Sequence, residues 1–270
     1  MSKRVFLIAV FVLIWAAAIS VAEPVVVCTH AIFGEIAEAV GGGAIEVVTI
    51  VPSGFCPAHY DLRPSDIAAF ASADIVFYSG FESWVDTLLS AVENADVAVS
   101  LPGPWNTPDA AVAKAEAIAS ALSDPFPNEA DTFRANAADY EARLAELGAS
   151  LRDDAEANGV AGIPVICMEW QTGFVSWLGF DIIATYPQPE GLSIRDLVEL
   201  ADEGREAGVV LVIDNWQSGS EFGEKLSEEI GAVHAVLSNF PGFPPEAATL
   251  IDLFSYNAHL LFSAVKPADE

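Results

Sequence analysis

Between residues 128 and 158 the chain sets out one uninterrupted helical pattern, in which Phe133, Ala137, Tyr140, Leu144, Leu147 and Leu151 advance by alternating fours and threes. A stripe sustained over so many turns needs a partner surface along its whole length. The helix must therefore lie across what precedes and follows it as a rigid spine, not hang between them as a linker.

On either side, short apolar runs alternate with amphipathic ones. Before the spine, strands are predicted at 24–28, 46–51, 75–78 and 97–100, with helices after Thr29, from Pro64, at 84–92 and at 108–122. After it come strands at 164–167, 181–186, 209–213 and 232–237, with helices ending near Leu178 and at 194–207, 218–230 and 246–265. This rhythm means crossover units and mainly parallel strands. The fold class is α/β: two Rossmann-like lobes with parallel sheets, joined by one long rigid helix, with a ligand cleft between the lobes. The lobes occupy 23–127 and 159–270, and the linking helix 128–158.

Residues 1–22 belong to neither lobe. Lys3-Arg4, an apolar run from Val5 to Val21 and Ala22 before Glu23-Pro24 read as a secretory signal peptide or an uncleaved anchor, so the folded part is extracytoplasmic. Without Lys3 and Arg4, the 11 basic residues fall to 9, set against 39 acidic ones. Such a surface repels nucleic acid and anionic lipid. Three cysteines permit one disulfide at most and leave a thiol over.

Strand ends predict what lines the cleft. Cys28 and His30 follow the first strand, Cys56 and His59 the second, and Trp105 the fourth. In the second half the same positions hold Cys167, Met168, Glu169 and Trp170, then Asn215 with Trp216, and Asn239. Thiolate, thioether and imidazole together select Zn(II), Cu(I) or a similar ion over Mg or Ca, so Cys56, His59, Met168, Cys28 and Cys167 form the candidate metal set. His30, Trp105, Glu169, Trp170, Asn215 and Asn239 are the remaining candidate cleft residues, and the indoles could also stack on a flat organic ligand. Plain burial is the competing reading for Cys28, Cys167 and Met168.

The run from Pro52 to Asp66, with Ala73-Asp74-Ile75-Val76, Trp84-Val85-Asp86-Thr87-Leu88-Leu89 and Trp105-Asn106-Thr107-Pro108-Asp109-Ala110, resembles the zinc/manganese (cluster A-I) solute-binding proteins of ABC importers. The likeness extends over nearly the whole chain beyond residue 22. It implies a monomeric binding protein delivering a transition-metal ion (Zn, Mn or a softer ion such as Cu) to an ABC permease and its ATPase, with no organic cofactor and no catalysis. The family's own metal ligands do not follow. Where its loop carries Pro-His-x-Tyr, this chain has Ala58, with His59 one place later; its second and third His positions hold Gly103 and Met168. Its acidic ligand corresponds to Ser238 or Asn239. Two readings stay open: a site rebuilt from Cys56, His59, Met168 and the other cysteines, or the same scaffold holding an organic or metal-chelate ligand. A thiol-dependent enzyme, with a Cys nucleophile and His59 as base, is the competing class.

Overall fold

The computed structural model describes residues 23–92 and 95–266. The expected signal or anchor lies outside the described residues; among these, no helix is long and apolar enough to cross a membrane. The first sheet contains β1 (Val25–His30), β2 (Glu46–Val51), β3 (Ile75–Tyr78) and β4 (Ala98–Ser100), all parallel, in the order β2-β1-β3-β4. The second contains β5 (Pro164–Met168), β6 (Asp181–Tyr186), β7 (Leu211–Asn215) and β8 (Val233–Leu237), also parallel, in the order β6-β5-β7-β8. Each sheet begins in its middle, grows one way and then reverses. A crevice opens outside the carboxyl ends where that reversal occurs, between β1 and β3 in one lobe and between β5 and β7 in the other.

The helices of the first lobe are α1 (Ala31–Gly41), α2 (Pro64–Ser72), α3 (Val85–Ala91) and α4 (Pro108–Ser123). After the spine, α5 (Ala130–Ala157), come α6 (Thr172–Leu178), α7 (Ile194–Ala207), α8 (Glu221–Ile230) and α9 (Leu250–Val265). Pro64 and Pro108 stand in first turns, where no amide hydrogen is missed, and Thr107 accepts a bond from the Ala110 amide at 3.2 Å. Several expected boundaries shift, the first strand running on to His30 among them. The strand expected at 209–213 lies at Leu211–Asn215, and the helix expected from 218 starts at Glu221. The last helix begins at Leu250 because Thr249 and Asp252 close a capping box there.

The spine is 28 residues long, roughly 42 Å at about 1.5 Å per residue. Phe133, Ala137, Tyr140, Leu144 and Leu151 are buried along it, and each large side chain of that set contributes roughly 1.5–3 kcal/mol. Leu147 is only half-buried, because Gly148 turns into the contact: a Cβ there would stand 3.2 Å from Pro108 Cβ. That close approach lets α5 cross from one lobe to the other. The Tyr140 hydroxyl bonds Glu35 on the first side at 2.6 Å, and Trp177 of the second lobe donates to Asp109 of α4 at 2.8 Å. Val26, Phe33, Val165, Leu237 and Leu253 consequently belong to one apolar core running through both lobes.

Candidate functional site

The five expected metal donors do not converge. Cys28 is not at a strand end, because β1 continues two residues beyond it and His30 still pairs with Val51. Its thiol lies fully buried in the apolar core, and burial raises its pKa far above the ordinary range. Cys167 shares that core, its thiol pushed up to about 12 by burial. Both are corrected to packing residues, since a site that opposes the thiolate opposes thiolate ligation.

Met168 is the last residue of β5 and points to the opposite face from Cys167, among Ile166, Tyr186 and Val212. It is fully buried, and its sulfur accepts the side-chain N–H of Asn215 at 2.8 Å. His59 is exposed, on the single 3-10 turn Pro57–His59. Cys56 is half-buried and faces the other lobe, its sulfur 3.5 Å from the Gln188 amide nitrogen. His59 and Cys56 meet through a backbone bond, His59 N to Cys56 O at 3.1 Å. Among the described residues, no group of three or more His, Cys, Asp or Glu side chains could hold a metal ion.

What the strand ends do enclose is a cavity of about 470 Å³ between the lobes. Ser79, Gly80 and Phe81 enter it after β3, Trp105 and Asn106 after β4, Glu169 and Trp170 after β5, and Asn239 after β8. Trp105, Glu169, Trp170 and Asn239 therefore stand where the sequence placed them. His30 and Asn215 do not line it; they are 1% and 0% exposed and lie behind the wall. Phe81 was missed, although its place just past a strand end is the same signal that marked Trp105.

Phe81 stacks on Trp105 with centroids 5.5 Å apart and planes 25° from parallel, and it meets Trp170 of the other lobe at 5.8 Å. A narrow extension of about 20 Å³ brings Cys56 to the same three rings. Behind them, the His30 ring is packed against Phe33 at 4.2 Å, Trp105 at 5.3 Å and Phe240 at 5.5 Å.

The polar groups at this edge are paired with one another, His30 Nδ1 excepted. Glu82, 4% exposed, accepts bonds from the Thr29 hydroxyl, the Ser79 hydroxyl at 2.8 Å and the Gly80 amide at 2.8 Å. Burial works against its charge, yet the Thr29 bond, the neighbouring imidazole and the Ser79 bond together hold the carboxyl below its usual range. Because the Ser79 proton goes to Glu82, the 3.3 Å contact to His30 Nε2 is an N–H donated to the Ser79 oxygen. His30 Nδ1 then carries a lone pair, buried and without a partner among the described residues. Burial pushes the imidazole pKa down to about 4, Glu82 opposing that shift and Lys114 adding to it. The ring is thus neutral at ordinary pH.

The loop that presents Trp105 is fixed from beneath. Lys114 of α4, 7% exposed, donates to the Leu101 and Pro102 carbonyls at 2.8 and 2.5 Å. The chain then turns through Gly103 at φ +91°, a conformation side-chain-bearing residues rarely adopt. The family's second His position therefore carries a glycine turn and no donor side chain. Three hydrogen bonds draw the lobes together here: Asn106 to the Trp170 carbonyl at 3.1 Å, Gln217 to the Ser53 carbonyl at 3.0 Å, and the contact between Gln188 and Cys56. Gly173 permits the first, since a Cβ there would stand 2.6 Å from the Asn106 side-chain oxygen Oδ1.

Comparison with known proteins bears on this cleft. A family model described as zinc-uptake complex component A, periplasmic (ZnuA), matches residues 26–264. The metal ABC transporter substrate-binding lipoprotein FimA of Streptococcus parasanguinis is 29% identical over 149 residues, covering 45% of this chain and 48% of that protein. The manganese ABC transporter substrate-binding lipoprotein PsaA of Streptococcus pneumoniae is 27% identical over 149 residues, and the iron-binding protein YfeA of Yersinia pestis 27% over 148, with 48% of each relative covered. The chain thus spans about half the length of the curated relatives it matches. Among solved structures, a periplasmic metal-binding protein of Candidatus Liberibacter asiaticus superposes with a TM-score of 0.78 at 17% identity, covering 90% of this chain and 100% of that one. A zinc-bound ZnuA deletion mutant does so at 0.75 and 22%, covering 92% and 100%. At such identities the superpositions speak to the fold.

Proposed function

We propose, from the premise that this chain belongs to the family of periplasmic zinc-uptake components, that it is the extracytoplasmic substrate-binding component of an ABC importer and carries a transition metal in its interlobe cleft. The observation that supports this most directly is the meeting of two parallel sheets, carboxyl edge to carboxyl edge, around a cavity of about 470 Å³, with one helix spanning both.

Such a protein does its work by holding and letting go. The first lobe supplies a fixed wall, because Phe81 and Trp105 are packed against a buried layer and a lysine-anchored loop. The second closes over it through a few hydrogen bonds. A small relative movement on docking to a permease, powered by its ATPase, would separate Asn106 from Trp170 and Gln217 from Ser53 and release the cargo. The spine restrains that movement, since the apolar core it carries is shared. A single chain contains both lobes and the whole cleft, so the working unit is a monomer. No covalent step is assigned, since Cys56 and His59 meet only through their backbones in the geometry described above, and His59 faces solvent.

The test is elemental analysis of the protein purified under native conditions without chelators. The expected result is close to one equivalent of a transition metal such as Zn, Mn or Fe per chain, lost on unfolding, and co-purification with its permease. A chain that stays metal-free after exposure to every first-row metal source, and finds no permease, would refute the proposal.

A further inference from the structure

We infer that the metal enters this cleft inside a planar organic chelate, the chelator supplying the coordination sphere and the protein binding its faces. The inference rests on the function proposed above and narrows its substrate class.

Three independent features point to it. The positions at which the family binds a bare ion are not free donors here: Gly103 has no side chain, the Met168 sulfur already takes the Asn215 amide, and the Asn239 side-chain oxygen already takes Gln171 at 2.6 Å. No other cluster of three His, Cys, Asp or Glu replaces them among the described residues. The cavity, at about 470 Å³, is more than ten times the roughly 30 Å³ share of one water, a fair gauge of a bare ion, and lies in the roughly 300–1,000 Å³ range of pockets for small organic molecules.

Its walls are also of the wrong kind for an ion and the right kind for a ring. Phe81 and Trp105 lie nearly parallel in one lobe, and Trp170 of the other lobe meets Phe81 while remaining 40% exposed. The three rings form one aromatic wall shared by the two lobes, and its exposed part, chiefly Trp170, suits a flat π-system. Glu169 is the one charged side chain among the described lining residues, and it is acidic. A cationic complex is favoured by it, as by the acidic chain as a whole.

The full chain can be titrated by tryptophan fluorescence with three probes: the monocationic diaqua cobalt(III) complex of bis(salicylidene)ethylenediamine, whose aryl rings keep their faces free, the same ligand without metal, and the chloride salts of Zn, Mn, Fe, Co and Cu. The cobalt complex is expected to bind at one equivalent, at least 100-fold more tightly than any salt or the free ligand. Trp170→Ala should weaken it about tenfold and Glu169→Gln about threefold, while His59→Ala leaves it unchanged. Circular dichroism checks that each variant is folded. Tight binding of a bare ion overturns the chelate inference but leaves the metal importer standing. Free ligand binding as tightly as the complex overturns the chelate inference and leaves the metal importer to elemental analysis. Absence of binding by all three probes overturns the inference, and elemental analysis with permease co-purification then decides the importer on its own.

Discussion

The two lobes share one strand order but finish their carboxyl edges differently. In the first, the edge is braced from behind: Glu82 gathers Thr29, Ser79 and Gly80, His30 bonds Ser79, and Lys114 holds the strand end below Trp105. In the second, the buried polar cluster lies within the lobe, where Asp214 accepts the Tyr186 hydroxyl at 2.6 Å and contacts His234 at 2.9 Å. Its edge residues Glu169 and Trp170 are exposed. One sheet spends its polar groups on fixing a wall and the other on fixing itself. The first lobe therefore holds shape at the cleft, and the second brings to it one indole and one carboxylate whose positions can adjust.

That contrast can be broken from either side. The largest effect is expected at Asp214→Ala, which leaves the buried Tyr186 hydroxyl only the long 3.4 Å contact to the Ile213 carbonyl and opens a gap against Gly223, whose added Cβ would stand 2.0 Å from the Asp214 carboxylate. Urea unfolding should show a loss of about 3–4 kcal/mol with little change at the cleft, as Trp170 fluorescence would report.

Acid should act on the first lobe instead. His30 has a folded pKa of about 4, below its unfolded value of 6.5, so the unfolded chain takes up a proton that the native one refuses. Stability is full above pH 6.5 and falls as pH drops towards 4, by ~3 kcal/mol at about 1.4 kcal/mol per unit. Glu82, whose carboxyl is held below its usual range, adds to the loss as pH falls below 4.5, where the unfolded carboxyl takes up a proton and the native one does not. In His30→Gln the slope between pH 6.5 and 4 should largely disappear; an unchanged slope would place the titrating group elsewhere.

Lys114→Met should come next, at about 2 kcal/mol, because it leaves the Leu101 and Pro102 carbonyls without their donor. Unlike Asp214→Ala, it should also shift the emission of Trp105. Cys56→Ser should change stability by less than ~0.5 kcal/mol, since the half-buried thiol has only a long contact with Gln188.

The fold was legible because its signals are periodic. The fours and threes of α5 and the apolar strands separated by amphipathic helices allow one architecture, and it is the one observed. The site was legible only where strand ends could be placed to the residue. Trp105 follows the break Pro102-Gly103-Pro104, and Glu169, Trp170 and Asn239 stand just past short apolar runs. Cys28 was misplaced because β1 runs on through Thr29 and His30, and a shift of two residues along a strand moves a side chain from the crevice into the sheet. Met168 was misjudged for the opposite reason: it does end its strand, but it points into the lobe's own core. The aromatic wall depends on Phe81, which belongs to the same class of position as Trp105 and meets its partners only in three dimensions.

The claim that the cleft has exchanged ion ligands for ring faces is tested most directly by native mass spectrometry of the protein as it leaves its own cell, paired with elemental analysis. The account predicts one adduct per chain that contains a single metal and is heavier than that metal by the mass of an organic ligand, the two leaving together when the chain unfolds. An adduct with the mass of one bare ion would contradict it.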